Sequence, residues 1–112
     1  MADKRWDKRQ RKRISLRFGV DAASKVGFTD DITREGLFIR TGLVLNPGTR
    51  LQVELTPPEG RIVLEGEVRW AKRIPPQMLH KMKGGMGLKI LRFLEGEPIY
   101  RQICDTLYGR DA

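Results

Sequence analysis

The sequence predicts a mainly β (all-β class) fold: a small six-stranded antiparallel β-barrel with a C-terminal α-helix and a flexible basic N-terminal arm. Three observations lead to this prediction. A chain of 112 residues is long enough for one hydrophobic core but not for two. Short apolar runs alternate with polar residues, and Gly, Pro and Asp separate them, which is typical of strands and turns. The net charge of +8 is concentrated at the N-terminus.

The arm is predicted over residues 1–12 and the barrel with its helix over 13–112. Residues 1–17 carry eight basic and two acidic side chains, whereas the other 95 residues carry 14 basic and 12 acidic ones. Within residues 1–12, Met1 and Trp6 are the only large apolar side chains. A segment with so little apolar content and so much like charge is expected to be disordered until an anion neutralises it.

The strands are predicted from residues that alternate between apolar and polar. Ile14, Leu16, Phe18 and Val20 point to one face of the first strand, directly after Arg13. Closing the sheet on itself would leave no exposed strand edge. The other five strands are expected over residues 25–29, 36–40, about 50–56, 61–71 and 86–91.

Two details of this pattern concern individual side chains. The second strand is expected to end at an acidic turn, Asp30-Asp31. In the fifth strand, Trp70 continues the stripe begun by Ile62, so it is predicted to fill the core. Gly85 and Gly87 are interpreted as hairpin and bulge glycines.

The chain is predicted to end in a helix over about 96–108, after a long basic loop at 72–84. Ile99, Tyr100, Ile103, Cys104 and Leu107 recur at helical spacing and form one apolar stripe. That stripe is expected to lie against the barrel.

No catalytic centre is expected, so the chain is not predicted to be an enzyme. His80 is the only histidine and lies in the basic loop with no carboxylate beside it in sequence. Cys104 is the only cysteine, and its place on the helix stripe predicts a buried, inert thiol. No spacing suits a metal site, no apolar run spans a bilayer, and no signal peptide is visible. The expected location is the cytoplasm.

Two short motifs point to a ligand. Arg9 and Arg13 form R-x-x-x-R just before the first strand, and Asp31 to Gly36 form D-x-T-x-x-G just before the third. R-x-x-x-R alone is weak evidence, because Arg5/Arg9 and Arg13/Arg17 match it too. With both motifs in order on a barrel pattern, and with Val68-Arg69-Trp70 and Gly85-Met86-Gly87-Leu88 behind them, the chain resembles the PilZ domain, a family of bacterial cyclic di-GMP receptors.

The resemblance implies cyclic di-GMP as the ligand, with no cofactor and no metal. It places Arg9 and Arg13 at the ligand because in this family the second arginine comes directly before an alternating strand. It also implies Asp31, Thr33 and Gly36, with threonine where the family has serine. Three further basic residues are weaker candidates: Lys8, Arg11 and Arg17. A basic residue at position 8, just before the motif, favours a stacked pair of ligand molecules.

The chemistry of these side chains suits a guanine-containing dianion. An arginine fork can meet guanine O6 and N7 or two phosphate oxygens, which lysine cannot match. The carboxylate of Asp31 can accept hydrogen bonds from guanine N1–H and N2–H₂. Thr33 offers a hydroxyl, and Gly36 is expected to permit a tight turn.

The predicted function is a cyclic di-GMP-binding receptor or adaptor that changes conformation and signals to a partner protein. The resemblance implies a partner in bacterial motility, pilus, exopolysaccharide or adhesion machinery. One alternative is a barrel that acts as a protein adaptor without ligand. Another is a basic barrel that binds RNA or DNA, but the chain has only eight aromatic residues and no strand face that interleaves them with Lys or Arg.

Overall fold

The computed structural model describes residues 12–78 and 84–108 and shows a closed antiparallel β-barrel with one α-helix. This confirms the predicted fold class. The helix α1 spans Glu97–Tyr108 and follows the last strand. A short 3-10 helix at Pro76–Met78 follows the fifth strand. The six strands are β1 (Ser15–Gly19), β2 (Lys25–Ile32), β3 (Gly36–Arg40), β4 (Arg50–Leu55), β5 (Ile62–Lys72) and β6 (Gly85–Glu95).

The strands follow the order β1-β2-β3-β6-β5-β4, and β4 pairs with β1 to close the barrel. Leu16 lies opposite Gly27 on one side and opposite Leu55 on the other. Inward side chains from all six strands form one core, and Tyr100, Ile103 and Cys104 of α1 add to it. The helix therefore seals the barrel with the apolar stripe that its sequence predicts.

The first strand is shorter than its alternation predicts, and the inward position predicted for Val20 is wrong. Ile14, Leu16 and Phe18 are buried as expected, but Val20 is 60% exposed. The chain bends back at Gly19, where a Cβ atom would lie only 1.9 Å from the carbonyl oxygen of Ala22. The strand therefore ends one residue before the last apolar position.

The second strand is longer than predicted, and Asp30-Asp31 is not a turn. Thr29 lies opposite Ile39 and Ile32 opposite Leu37, so β2 carries one extra residue between these pairs. This β-bulge changes the phase of the strand, and Thr29 and Ile32 are both buried. The chain reverses direction later, at residues 33–35. Asp30 and Asp31 lie in the bulge.

Trp70 lies outside the core, so its predicted core position is wrong. Val68 pairs with Leu88 and Trp70 with Gly87, which leaves Arg69 as the extra residue of a bulge in β5. Beyond the bulge the alternation is inverted, and the Trp70 side chain is 52% exposed. A further register shift follows Val63, which is buried together with its neighbours Ile62 and Leu64.

The last strand runs well beyond its predicted end at residue 91. Opposite β5 it contains register shifts that leave Leu91 and Leu94 exposed. Its alternation is therefore irregular after Lys89, which explains why the sequence pattern stops there. No helix within the described ranges is long and apolar enough to cross a membrane.

Candidate functional site

An open groove on the outer surface of the barrel brings the second predicted motif together with aromatic and charged side chains. Its volume is about 810 Å³, within the range of about 300–1,000 Å³ that is usual for small-molecule sites. The ends of β2 and β3 form one wall, and the bulged part of β5 with β6 forms the other. The lining residues are Asp30, Asp31, Thr33, Glu35, Gly36, Leu37, Phe38, Arg69, Trp70, Gly87, Leu88 and Lys89.

The turn between β2 and β3 is held by the hydroxyl of Thr33. Its Oγ1 accepts hydrogen bonds from the backbone N–H groups of Glu35 and Gly36, at 3.3 and 3.2 Å. The same hydroxyl lies 3.2 Å from the carbonyl oxygen of Gly36, to which it can donate. The backbone N–H of Thr33 also donates to that carbonyl, at 2.8 Å. Thr33 therefore closes the turn on the groove wall through its hydroxyl, a group that serine also carries.

Gly36 is required for close packing rather than for an unusual backbone angle. Its φ is not positive, so the turn does not depend on a backbone angle that only glycine readily adopts. A Cβ atom at Gly36 would lie 2.3 Å from the carbonyl oxygen of Leu88 on β6. The motif glycine thus lets β3 approach β6 at the base of the groove.

An aromatic platform forms the floor beside this turn. The rings of Phe38 and Trp70 stack with their centroids 5.2 Å apart and their planes at 21°. Trp70 lies directly over Gly87, where a Cβ atom would come within 2.3 Å of its Nε1. The bulge at Arg69 and the bare backbone of Gly87 together place a half-exposed indole in the groove.

The groove itself is not basic. Three carboxylate side chains line it, those of Asp30, Asp31 and Glu35, against the cationic groups of Arg69 and Lys89. Asp31 also interacts with at least one other group of the protein, so it is not unpaired. A dianionic ligand in this groove therefore needs additional positive charge from elsewhere in the chain.

The junction between the predicted arm and the barrel lies at the edge of the groove. The backbone N–H of Lys12 donates to the carbonyl oxygen of Asp30 at 3.0 Å. The buried hydroxyl of Thr29 donates to the carbonyl oxygen of Lys12 and accepts from the N–H of Ile14 at 2.9 Å. This polar side chain fixes the start of the barrel beside a residue that lines the groove.

Arg13 is exposed at this junction and packs on an aromatic ring. Its guanidinium carbon lies 4.0 Å from the centroid of Phe28, and that of Arg40 lies 5.5 Å from the same ring. Cation–π contacts of this kind orient a guanidinium group without neutralising it. Arg13 is not among the groove-lining residues, but it is next to Lys12, which is bonded to the groove edge.

The other basic candidates are placed differently or fall outside the described residues. Arg17 lies on β1 opposite Val26 and Glu54, away from the groove lining. Arg9, Lys8 and Arg11 lie outside the described residues, as does His80. The structure thus brings together Asp31, Thr33 and Gly36 and leaves the arginine pair as a prediction.

Nine of the twelve lining residues are not predicted at the site, and those with large or charged side chains on β3, β5 and β6 are Phe38, Arg69, Trp70 and Lys89. Phe38 and Lys89 occupy outward positions on their strands, but outward positions are numerous and the sequence does not rank them. Alternation places Trp70 in the core because a bulge cannot be read from alternation alone. The signal for Trp70 is the glycine pair around Met86, which leaves room for a large ring on the neighbouring strand.

Cys104 has the properties predicted for an inert thiol. Its side chain is fully buried, and burial raises its pKa from 9.0 to about 11. Within residues 12–78 and 84–108 no group of three or more His, Cys, Asp or Glu side chains is arranged to hold a metal ion.

The chain is a closed six-stranded barrel with a surface groove beside a D-x-T-x-x-G turn. The family model of the PilZ domain matches residues 3–103, which is most of the chain. The chain therefore belongs to the PilZ domain family, whose members are receptor and adaptor domains associated with cyclic di-GMP.

A solved structure supports the fold. The inhibitor of motility MotI/DgrA of Bacillus subtilis superposes with a TM-score of 0.70 at 19% sequence identity. The match covers 88% of this chain and 48% of that one, so the chain spans about half the length of the solved protein. At this identity the likeness concerns the fold alone. No curated protein matches the chain.

Proposed function

We propose that this domain is a cytoplasmic cyclic di-GMP receptor that binds the ligand in the groove between the Thr33 turn and Trp70. One observation carries the proposal: the motif residues Asp31, Thr33 and Gly36 line the same groove as an exposed, stacked indole. A carboxylate beside an aromatic platform is suited to a purine base. The membership of the chain in the PilZ family supports this choice of ligand.

The groove residues divide the recognition of guanine between its face and its edge. Trp70, backed by Phe38, offers a flat surface on which a base can stack, an interaction worth about 1–3 kcal/mol per base. The carboxylate of Asp31 can accept from the N1–H and N2–H₂ donors that distinguish guanine from adenine. Arg69 and Lys89 on the opposite wall are available to phosphate oxygens.

The arginine pair supplies the charge that the groove lacks. Arg13 directly follows Lys12, whose backbone is bonded to Asp30 at the groove edge, and Arg9 precedes Lys12 by three residues in the chain. In the proposal their guanidinium groups clamp the phosphates and the O6 and N7 atoms of the guanines. The basic residue Lys8, next to Arg9, favours two stacked ligand molecules rather than one.

Ligand binding would change the surface that the domain shows to a partner. Neutralisation of the arginines removes their mutual repulsion and fixes the arm across the groove, so the bound and free states differ in shape and charge. The domain acts on a partner protein and carries out no reaction of its own in this proposal. Since the similar Bacillus protein is named an inhibitor of motility, we place the partner in motility machinery.

The experiment that tests this proposal is a calorimetric titration of the purified protein with cyclic di-GMP at physiological salt. We expect binding at micromolar concentration or tighter, and no binding of GTP or of a short RNA. Arg9→Ala and Arg13→Ala should each sharply weaken binding. Trp70→Leu should weaken it at least tenfold through loss of stacking, and Asp31→Ala should weaken it with the barrel still folded.

Two matched variants control for general effects of charge and apolar area. Arg17→Ala removes an arginine from the outer surface away from the groove, and Leu91→Ala removes an exposed apolar side chain. Both should bind like the wild type. Wild-type affinity in the Arg9 and Arg13 variants would refute the proposed site. Binding of RNA without binding of the dinucleotide would favour a nucleic-acid role. Absence of binding to cyclic di-GMP, GTP and RNA alike would favour a ligand-independent adaptor.

A further inference from the structure

We propose that Tyr100 of α1 is a positioning residue for the ligand-binding turn, so that ligand binding in the groove and docking of the C-terminal helix stabilise each other. This inference rests on the proposed function and extends it from the groove to the far side of the turn. It gives the receptor a second element, besides the arm, that senses whether the ligand is bound.

The contact that carries the inference is the Tyr100 hydroxyl, whose single proton is directed at two backbone carbonyl groups of the turn. The Tyr100 hydroxyl lies 2.6 Å from the carbonyl oxygen of Thr33 and 3.2 Å from that of Gly36. These carbonyls belong to the first and last residues of the turn whose side chains line the groove. The Tyr100 side chain is only 1% exposed, so water cannot easily replace its hydroxyl at these acceptors.

The ring of Tyr100 is fixed by packing within the core. Its centroid lies 5.3 Å from that of Phe93 on β6, and Tyr100 belongs to the buried core cluster together with Ile103 and Cys104. The hydroxyl therefore couples the position of α1 to the turn. A shift of the helix away from the turn would lengthen the short bond to the Thr33 carbonyl and weaken it.

An ion pair makes a second connection between the same two elements. Arg34, at the tip of the turn, donates to the carboxylate of Asp105 on α1. Both side chains are about 40% exposed, and exposed pairs contribute little to stability because water and salt screen them. The buried tyrosine is therefore expected to transmit most of the coupling, and the ion pair to contribute less at high salt.

Coupling between two sites is reciprocal, because each event changes the equilibrium constant of the other by the same factor. If a docked helix holds the turn in the shape that receives the ligand, a bound ligand must in turn hold the helix. The turn is also bonded to β6, through the N–H of Ile90 and the carbonyl of Glu35 at 2.9 Å. Loss of Tyr100 contacts should therefore loosen the turn without unfolding it.

The test compares wild-type protein with Tyr100→Phe, which removes one oxygen atom and keeps the ring. Two quantities are measured: the affinity for cyclic di-GMP by calorimetry, and amide hydrogen exchange of Glu35, Gly36 and α1 with and without the ligand. We expect the variant to bind about three- to tenfold more weakly, as for one lost hydrogen bond. Its turn amides should exchange faster without ligand, and the ligand should slow exchange in α1 in the wild type only.

Ile103→Val is the matched control, because it weakens the packing of the same helix without touching the turn. Ile103 is 3% exposed and lies in the core. Loss of one methylene at Ile103 should lower the melting temperature, but it should reduce the affinity less than Tyr100→Phe does, because the hydrogen bond from the helix to the turn is kept. Equal affinity and equal turn exchange in Tyr100→Phe and wild type would overturn the inference, as would an affinity loss in Ile103→Val as large as that in Tyr100→Phe. If the wild type binds no cyclic di-GMP, the proposed function and the coupling are both refuted. The positioning role of Tyr100 is then decided by whether the amides of Glu35 and Gly36 exchange faster in Tyr100→Phe than in the wild type.

Discussion

At the scale of single residues, Thr33 illustrates how a hydroxyl can serve a ligand site indirectly. Its oxygen is within hydrogen-bond distance of two backbone N–H groups and one carbonyl of its own turn. The extra methyl group, relative to the serine of the related domains, does not disturb these bonds. In the proposed receptor, Thr33 would contribute to binding chiefly through the shape of the turn rather than through a direct contact.

This role of Thr33 predicts different outcomes for two substitutions. Thr33→Ser keeps the hydroxyl and should keep the wild-type affinity for cyclic di-GMP. Thr33→Val keeps the shape, removes the oxygen and leaves the N–H groups of Glu35 and Gly36 without their acceptor, so affinity should fall about tenfold. Isothermal titration of both variants checks this, and equal affinities in the two would show that the hydroxyl has no part in the site.

The same scale shows what can be predicted from one sequence. Asp31, Thr33 and Gly36 are predictable at the site because a motif with fixed spacing marks them, and the structure brings all three to one groove. Phe38 and Lys89 are missed because an exposed strand residue has no distinguishing pattern. Arg9 and the rest of the arm up to residue 11 lie outside the described residues, so their role stays a prediction.

At the scale of the strands, β-bulges decide which residues reach the groove. One extra residue in β2 places Asp30 and Asp31 at the surface, and one in β5 turns Trp70 outward. Alternation predicts the existence of every strand correctly, since five or more residues of period two remain in most of them. It does not predict the bulges, because an inserted residue leaves no local mark on an apolar pattern.

The packing of β5 against β6 yields a prediction about Gly87. A methyl group at this position would collide with the Trp70 indole at 2.3 Å, so Gly87→Ala should push the ring off its stack on Phe38. We expect at least a tenfold loss of affinity for cyclic di-GMP. The paired melting experiment should show a decrease of only a few degrees, since the indole is half exposed and can move.

Gly42→Ala provides the control for Gly87→Ala. Gly42 has open space around it, because a Cβ atom there would meet no heavy atom within 4 Å, and its φ is not positive. This variant should bind and melt like the wild type. If Gly87→Ala also bound like the wild type, the aromatic platform would not be part of the site.

At the scale of the whole molecule, the closed barrel and its helix cap are predictable because composition, turn residues and two periodicities agree. Closure is predicted on the general ground that a small sheet avoids open edges. The strand order is not predicted, since the pairing of β3 with β6 and of β1 with β4 joins segments separated by long stretches of chain. Such pairings depend on the assembled core rather than on local sequence.

The buried thiol of the cap makes stability depend on pH in the alkaline range. Because burial raises the pKa of Cys104 from 9.0 to about 11, the folded state keeps its proton where the unfolded chain loses it. The free energy of unfolding should therefore be insensitive to this group below about pH 9. It should then fall by about 1.4 kcal/mol per pH unit between the two pKa values.

Cys104→Ala isolates this effect from the titration of lysine and tyrosine. Denaturant unfolding of both proteins at pH 8 and at pH 10 gives the difference in free energy of unfolding at each pH. The wild type should be the more stable at pH 8, because alanine leaves a cavity, and this advantage should shrink at pH 10. A constant difference would mean that the folded thiol ionises as readily as a free one.

The pairing that closes the barrel also bears on how quickly the protein can fold. The hairpin of β1 with β2 forms between neighbouring segments, but Leu16 must meet Leu55 before the ring is complete. Non-local pairings of this kind slow folding, because the entropy of a long loop is lost before the contact forms. Until then the edge of β1 is unpaired and can recruit another chain. The basic segment ahead of β1 then has a second expected consequence: its like charges should repel the same segment of another chain during the interval when that edge is open.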